Sequence, residues 1–190
     1  MLPIGPLMTE HRLIERMIAL IRQDLDRIQS NVAVDPEFAF VDPVFIDTAV
    51  DFLRTYADRC HHGKEEDILF AELEKKDLAP EHRRLMEELK EEHRLGRAAT
   101  RALVEAKESH LREEAGSLER LLTHLNTLTE LYPRHIEKED QQFFLPCMEY
   151  FSQAEKDDLL ARMHEFDRRM IHEKYRQIVE GIETRRACPV

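Results

Sequence analysis

Histidine and glutamate recur in this sequence at a spacing that suits a metal site. Two His-x-x-x-Glu pairs are present, His61–Glu65 and His135–Glu139. On a helix, this i,i+4 spacing places both side chains on adjacent turns of one face, about 6 Å apart at Cβ, so that both can reach one ion. Imidazole and carboxylate groups are ligands of first-row divalent metals. The two pairs therefore indicate metal binding, although a single exposed pair of this kind is usually solvated.

Both pairs belong to an internal repeat. Residues 10–13 (Glu-His-Arg-Leu) recur at residues 92–95, and residues 61–67 recur with changes at residues 135–141. Two similar helix hairpins related by a pseudo-twofold axis would bring all four histidine motifs around that axis. The candidate metal ligands are therefore His11, His61, Glu65, His93, His135 and Glu139.

All six candidates lie on apolar stripes of their helices, where an unpaired polar group is costly. His11, for example, follows Leu7 by four residues and precedes Ile14 by three. A buried carboxylate without compensation costs several kcal/mol or takes up a proton. One or two divalent cations would satisfy neutral imidazoles and ionised carboxylates together. A hydrogen-bonded polar core without metal is the alternative interpretation.

A further pair with the same spacing, His62 and Glu66, lies one step around the second helix. Its frame, with Thr55, Arg59 and Leu69, is more polar. This pair is therefore a second choice, and His62 is grouped with the histidines that are expected to have no special role.

Helical periodicity runs through almost the whole chain and predicts an all-α fold. A first helix is expected after Gly5-Pro6, running to about Ser30. Further helices are expected from Pro43 to about Lys76, from Pro80 to about His110, from the break at Gly116-Ser117 to Pro146, and from the capping box at Ser152 to about Thr184. The first four predict an up-down-up-down four-helix bundle over about residues 7–146, and the last an additional C-terminal helix. No linker divides residues 1–190, so one domain is expected. The last helix, with Phe166, Met170, Ile171 and Tyr175, could cover the bundle or a partner protomer, which leaves a homodimer open.

Composition excludes several classes of function. The chain has 190 residues and a formal net charge of −11, which disfavours binding to nucleic acid or anionic membranes. No apolar run reaches the length of a membrane span, and the start lacks the features of a signal peptide, so a cytoplasmic protein is expected. Three scattered cysteines and the absence of a phosphate-binding loop argue against a disulfide framework and nucleotide hydrolysis.

The order of these motifs resembles the hemerythrin-like (HHE) cation-binding domain. The segments HHGKEEDILF and LYPRHIEKEDQQFFLP are similar to the motifs of the second and fourth helices of that family, and the resemblance covers roughly residues 7–146. It implies a non-haem di-iron centre with two irons per chain. The resemblance makes the four histidines terminal ligands and the two glutamates, Glu65 and Glu139, carboxylates that bridge the irons.

Two positions depart from the pattern of oxygen-carrying hemerythrins. Those proteins have a fifth histidine one turn after the ligand of the third helix, where this chain has Arg97. Their last pair is His-x4-Asp, which would select Asp140, whereas the apolar stripe and the repeat both select Glu139. The pattern is closer to that of bacterial HHE proteins.

The resemblance implies a protein that binds or senses oxygen or a related diatomic molecule, and a binding role is expected ahead of catalysis. A di-iron oxidoreductase or a protein that repairs iron–sulfur centres is the first alternative. A structural bundle with one zinc or manganese ion is the second, because nitrogen-rich sites accept several first-row metals.

Overall fold

All regular elements in the part of the chain that the structure describes are helices. The computed structural model describes residues 2–35, 39–168 and 172–187, and in these ranges it has no strand. The helices are α1 (Ile4–Val34), α2 (residues 43–73), α3 (Pro80–Leu111), α4 (residues 117–147), α5 (Gln153–Asp167) and α6 (His172–Ala187). None of them is long and apolar enough, within those ranges, to cross a membrane. The predicted all-α bundle with additional C-terminal helical structure is confirmed.

Local signals in the sequence account for where helices begin. The Asp42 side chain accepts hydrogen bonds from the backbone N–H groups of Val44 and Phe45, and Pro43 occupies the first helical position of α2. Helix α5 begins with a capping box in which Ser152 and Glu155 satisfy each other's backbone groups.

Helices α2 and α4 widen where they carry the histidine–glutamate pairs. In α2 the residues Leu53–His62 and Glu65–Phe70 are π-helical, and in α4 the residues Glu139–Phe143 are. A π-helical turn forms i→i+5 hydrogen bonds, and such turns occur often at functional sites. Side-chain directions in these segments therefore differ from those of an ideal α-helix.

The interior consists of two apolar clusters with a polar layer between them. One cluster includes Leu13, Ala57, Ala99 and Tyr132. The other lies at the opposite end of the bundle, where α1 and α3 begin and α2 and α4 end, and it includes Leu7. The six candidate ligands lie along their helices between members of the two clusters and are all buried. The bundle thus encloses a layer of titratable side chains that water does not reach.

The predicted C-terminal helix is divided into two. Helix α5 ends at Asp167, and α6 begins at His172. Leu159 and Met163 join one apolar cluster, whereas Tyr175, Val179 and Ile182 join the other. At 3.6 residues per turn, Leu159 and Tyr175 point about 160° apart, so one straight helix could not bury both stripes. Tyr175 and Phe166 pack on their own bundle, while Met170 and Ile171 lie outside the described residues.

Candidate metal centre

The fold brings the six predicted residues together in the polar layer. His11 comes from α1, His61 from α2, His93 from α3 and His135 from α4, and all four imidazoles are buried. The Nε2 atoms form two close pairs. They are 2.9 Å apart between His11 and His61, and 3.1 Å apart between His93 and His135.

The two glutamates each reach both histidine pairs. Oε1 of Glu65 lies 3.3 Å from Nε2 of His61, and its Oε2 lies 3.4 Å from Nε2 of His93. Oε2 of Glu139 lies 3.1 Å from Nε2 of His11 and 3.3 Å from Nε2 of His135. Both carboxylates therefore sit between the pairs, and both are fully buried.

A ring of carboxylates holds the other side of each imidazole. The Nδ1 contacts are His11–Asp140 at 2.8 Å, His61–Glu10 at 3.0 Å, His93–Glu66 at 2.6 Å and His135–Glu92 at 2.9 Å. Each helix thus holds the histidine of the next helix around the bundle. A cation pairs with each of these carboxylates, namely Arg12 with Asp140, Lys64 with Glu10, Arg97 with Glu66 and Lys138 with Glu92. A carboxylate paired in this way accepts the Nδ1 proton, so the Nε2 lone pairs face the polar layer.

The interior of the layer lacks hydrogen-bond donors for its carboxylates. None of the oxygens of Glu65 and Glu139 accepts a hydrogen bond from the described part of the chain. Imidazole lone pairs and carboxylate oxygens all accept, so their convergence is repulsive unless positive charge lies among them. With metal–nitrogen bonds of about 2.1 Å, neighbouring ligands of one ion are about 3 Å apart. The Nε2 spacings agree with this value, so these residues fit a cation site.

The family model of the hemerythrin HHE cation-binding domain matches residues 2–147. The chain belongs to this family. The match spans α1 to α4 and all six candidate residues, and it confirms the resemblance seen in the motifs. Searches of curated proteins and of solved structures found no match. Family membership and the clustered histidines and glutamates together make this a metal-binding helical protein.

The charges around this HHE centre favour the protonated form of two of its imidazoles, those of His11 and His93. Burial by itself lowers the pKa of His11, but the hydrogen bond with Asp140 and the nearby negative charges of Glu139 and Glu65 outweigh it and raise this pKa to about 10. In the same way, burial lowers the pKa of His93, and contacts with Glu139, Glu65 and Glu66 raise it to about 11. Burial raises the pKa of Glu139, and the surrounding histidines bring it well below the usual value. Protons and metal cations therefore compete for the same nitrogens.

His62 is the residue whose position the sequence interpretation missed. It is buried, and its ring stacks on that of His93 with centroids 3.8 Å apart. Asp140 is the residue that the pattern of oxygen-carrying hemerythrins would select in place of Glu139. It contacts Nδ1 of His11, on the outer side of that imidazole, whereas Glu139 lies in the interior of the polar layer. Arg97, at the position of the missing histidine, pairs with Asp58 and Glu66.

The ring of outer carboxylates was also missed, but the sequence contains a signal for it. The repeat copies Glu10 as Glu92 and Lys64 as Lys138, together with the neighbouring candidate ligands. Two acids that recur beside two histidines could have been interpreted as partners of those histidines. Which acid contacts which imidazole depends on the neighbouring helix and could not have been predicted from one helix alone.

Proposed function

We propose that this HHE protein carries a non-haem di-iron centre and binds or senses oxygen or a related diatomic molecule in the cytoplasm. The observation that carries the proposal is the position of Glu65, whose two oxygens contact histidines of different pairs. A carboxylate in this position suits two ions better than one. His11 and His61 would hold one iron, His93 and His135 the other, and the glutamates Glu65 and Glu139 would bridge them.

The protein's own groups have three roles in this proposal. The outer carboxylates keep the Nε2 lone pairs turned inward, the two bridging carboxylates balance the cationic charge, and the apolar clusters keep water from the centre. When bound, iron supplies one-electron chemistry toward oxygen or nitric oxide.

Metal analysis of the purified protein tests the proposal. Protein prepared without added metal should contain about two irons per chain, and its visible spectrum should change with oxygen, nitric oxide or azide. Glu139→Gln should lower the iron content because a bridging charge is lost, whereas Glu137→Gln, an exposed neighbour on the same helix, should not.

Three results would lead elsewhere. One zinc or manganese per chain that iron does not replace would favour a structural bundle. Iron-loaded protein whose spectrum is indifferent to oxygen, nitric oxide and azide would contradict the proposed ligand class. Catalytic turnover of peroxide or nitric oxide, or restoration of a damaged iron–sulfur protein, would favour the oxidoreductase or repair function.

A further inference from the structure

A cavity of about 280 Å³ lies between helices α2, α3 and α4, beside the metal centre. His62 lines it, and the ring of His62 stacks on that of His93 with centroids 3.8 Å apart. None of the four predicted histidine ligands lines the cavity. His62 therefore forms a wall between the cavity and the centre, and the cavity is a separate space.

The side chain of Tyr132 brings a hydroxyl group to the buried end of this cavity. Tyr132 is 4% exposed, and its hydroxyl makes no hydrogen bond within the described part of the chain. A buried tyrosine hydroxyl usually has a hydrogen-bond partner. Gly96 of α3 leaves space in front of the hydroxyl, because a Cβ added at Gly96 would lie 3.7 Å from Oη of Tyr132. The cavity thus offers an unused hydrogen-bond donor to a bound molecule.

Positive charge surrounds the opening of the cavity. Three arginines line it, Arg54 from α2 and Arg97 and Arg101 from α3. Arg97 pairs with Asp58 and Glu66, whereas Arg54 and Arg101 are exposed and form no ion pair within the described residues. Like charges four residues apart on a helix, such as those of Arg97 and Arg101, repel each other. Among the described residues, Asp58 is the only acidic one that lines the cavity, so an excess of positive charge faces it.

We infer that this cavity binds a small anion whose charge lies on oxygen, a carboxylate or an inorganic oxyanion. The anion accepts a hydrogen bond from the hydroxyl of Tyr132, and Arg54 and Arg101 attract it to the opening. Guanidinium groups bind the oxygens of such anions through parallel N–H donors. The volume lies at the lower end of the range for ligand pockets, so it suits an anion of a few heavy atoms and not a large cofactor. None of these contacts requires a metal ion, so the anion site goes beyond the proposed metal centre.

Calorimetric titration of the full chain with sodium acetate, sodium benzoate and sodium nitrate, at two ionic strengths, tests the inference. At least one of these anions should bind at millimolar concentrations with one anion per chain, and the tightest of them identifies the class. Tyr132→Phe should weaken this binding about tenfold, because one hydrogen bond to a charged group is lost. Arg101→Gln should weaken it and reduce its dependence on ionic strength. Arg94→Gln, at an exposed arginine of α3 that pairs with Glu91, should bind as the parent protein does.

Gly96→Ala provides a steric test of the same site. The added methyl group would make only ordinary contacts, 3.5 Å from a methyl carbon of Leu131 and 3.7 Å from the Tyr132 hydroxyl, so the fold should persist. The methyl group would occupy the space in front of that hydroxyl, so the variant should bind the anion more weakly. Gly181→Ala, a matched change in α6, should leave the affinity unchanged.

Several results would overturn the inference. Absence of binding for all three anions would do so, and so would parental affinity in Tyr132→Phe, Arg101→Gln or Gly96→Ala, because the anion would then bind elsewhere. Equal weakening in Arg94→Gln would assign the effect to the overall charge of the chain. The titration is repeated after chelator treatment. Binding that requires the metal would assign the anion to the metal ions, whereas binding to protein that holds no iron would support this site even if the proposed metal centre failed.

Discussion

Glu92 offers the sharpest test of how the outer carboxylates act on the centre. Its Oε2 lies 2.9 Å from Nδ1 of His135, and its Oε1 lies 2.5 Å from Nζ of Lys138. Glu92→Gln keeps the shape of the side chain but removes its charge. The amide can also donate to Nδ1 and so move the imidazole proton to Nε2, the atom that faces the metal. The neighbouring residue Glu91 is exposed and pairs with Arg94 at 2.9 Å, so Glu91→Gln is a matched control.

The expected loss of metal affinity in Glu92→Gln can be converted into a loss of stability, because metal binding and folding are linked. Loss of a carboxylate behind a ligating histidine typically weakens metal affinity about 10–100-fold, or about 1.4–2.7 kcal/mol. With metal in excess, the folded state loses the same free energy. For a chain of this size, 1 kcal/mol shifts Tm by about 2–4 °C, so the metal-loaded variant should melt about 3–11 °C lower than the parent. Without metal the change should be small, because Lys138 keeps Glu88 at 2.9 Å.

Two measurements check this prediction. Competition with a chelator under anaerobic conditions gives the affinity for Fe²⁺, and thermal unfolding monitored by circular dichroism gives Tm with and without metal. The reasoning would be refuted if Glu92→Gln bound Fe²⁺ as tightly as Glu91→Gln. It would also be refuted if the variant lost equal stability in both forms, since Glu92 would then act only through ion pairs of the fold.

Three further predictions concern pH, a buried cation and two glycines. The pKa of His11 is raised to about 10 without metal, so the stability from its proton is complete below about pH 6.5 and is lost as pH rises toward 10. Metal replaces that proton, so the Tm difference between loaded and chelator-treated protein should widen from pH 6.5 to 8.5, and a constant difference would contradict this. Lys64 is fully buried between two carboxylates, so Lys64→Met should lower the free energy of unfolding, measured with urea, by about 3–5 kcal/mol. Lys75→Met, at an exposed position, should change that free energy little. Gly181→Ala should raise Tm, because alanine is favoured over glycine in a helix by about 1 kcal/mol. Gly63→Ala should raise Tm less or lower it, because its Cβ would lie 3.0 Å from a phenyl ring of α5. Equal changes in Tm for the two variants would count against this packing.

Much of the fold was predictable because its signals are local. Apolar residues at helical spacing indicate which face of each helix turns inward, and Asp42 with Pro43 or Ser152 with Glu155 mark helix starts. The repeat indicated two equivalent hairpins, which is why six titratable residues on four helices could be proposed as one cluster. The division between α5 and α6 was missed, because the phase change between Leu159 and Tyr175 has meaning only against the two surfaces that these helices cover.

The sequence by itself determined the helical class, the inward faces and the six residues that meet in the polar layer. The class and the inward faces follow from the periodicity of each helix, and the grouping of the six residues follows from the internal repeat. The tertiary structure decided which carboxylate faces which nitrogen, so that Glu139 lies among the Nε2 atoms, Asp140 holds Nδ1 of His11, and His62 lies beside the centre. Neighbouring residues differ by about 100° around an ideal α-helix, and the π-helical turns of α2 and α4 change that angle. The direction of a side chain in such a turn depends on the helices packed against it, and those helices come from distant parts of the chain.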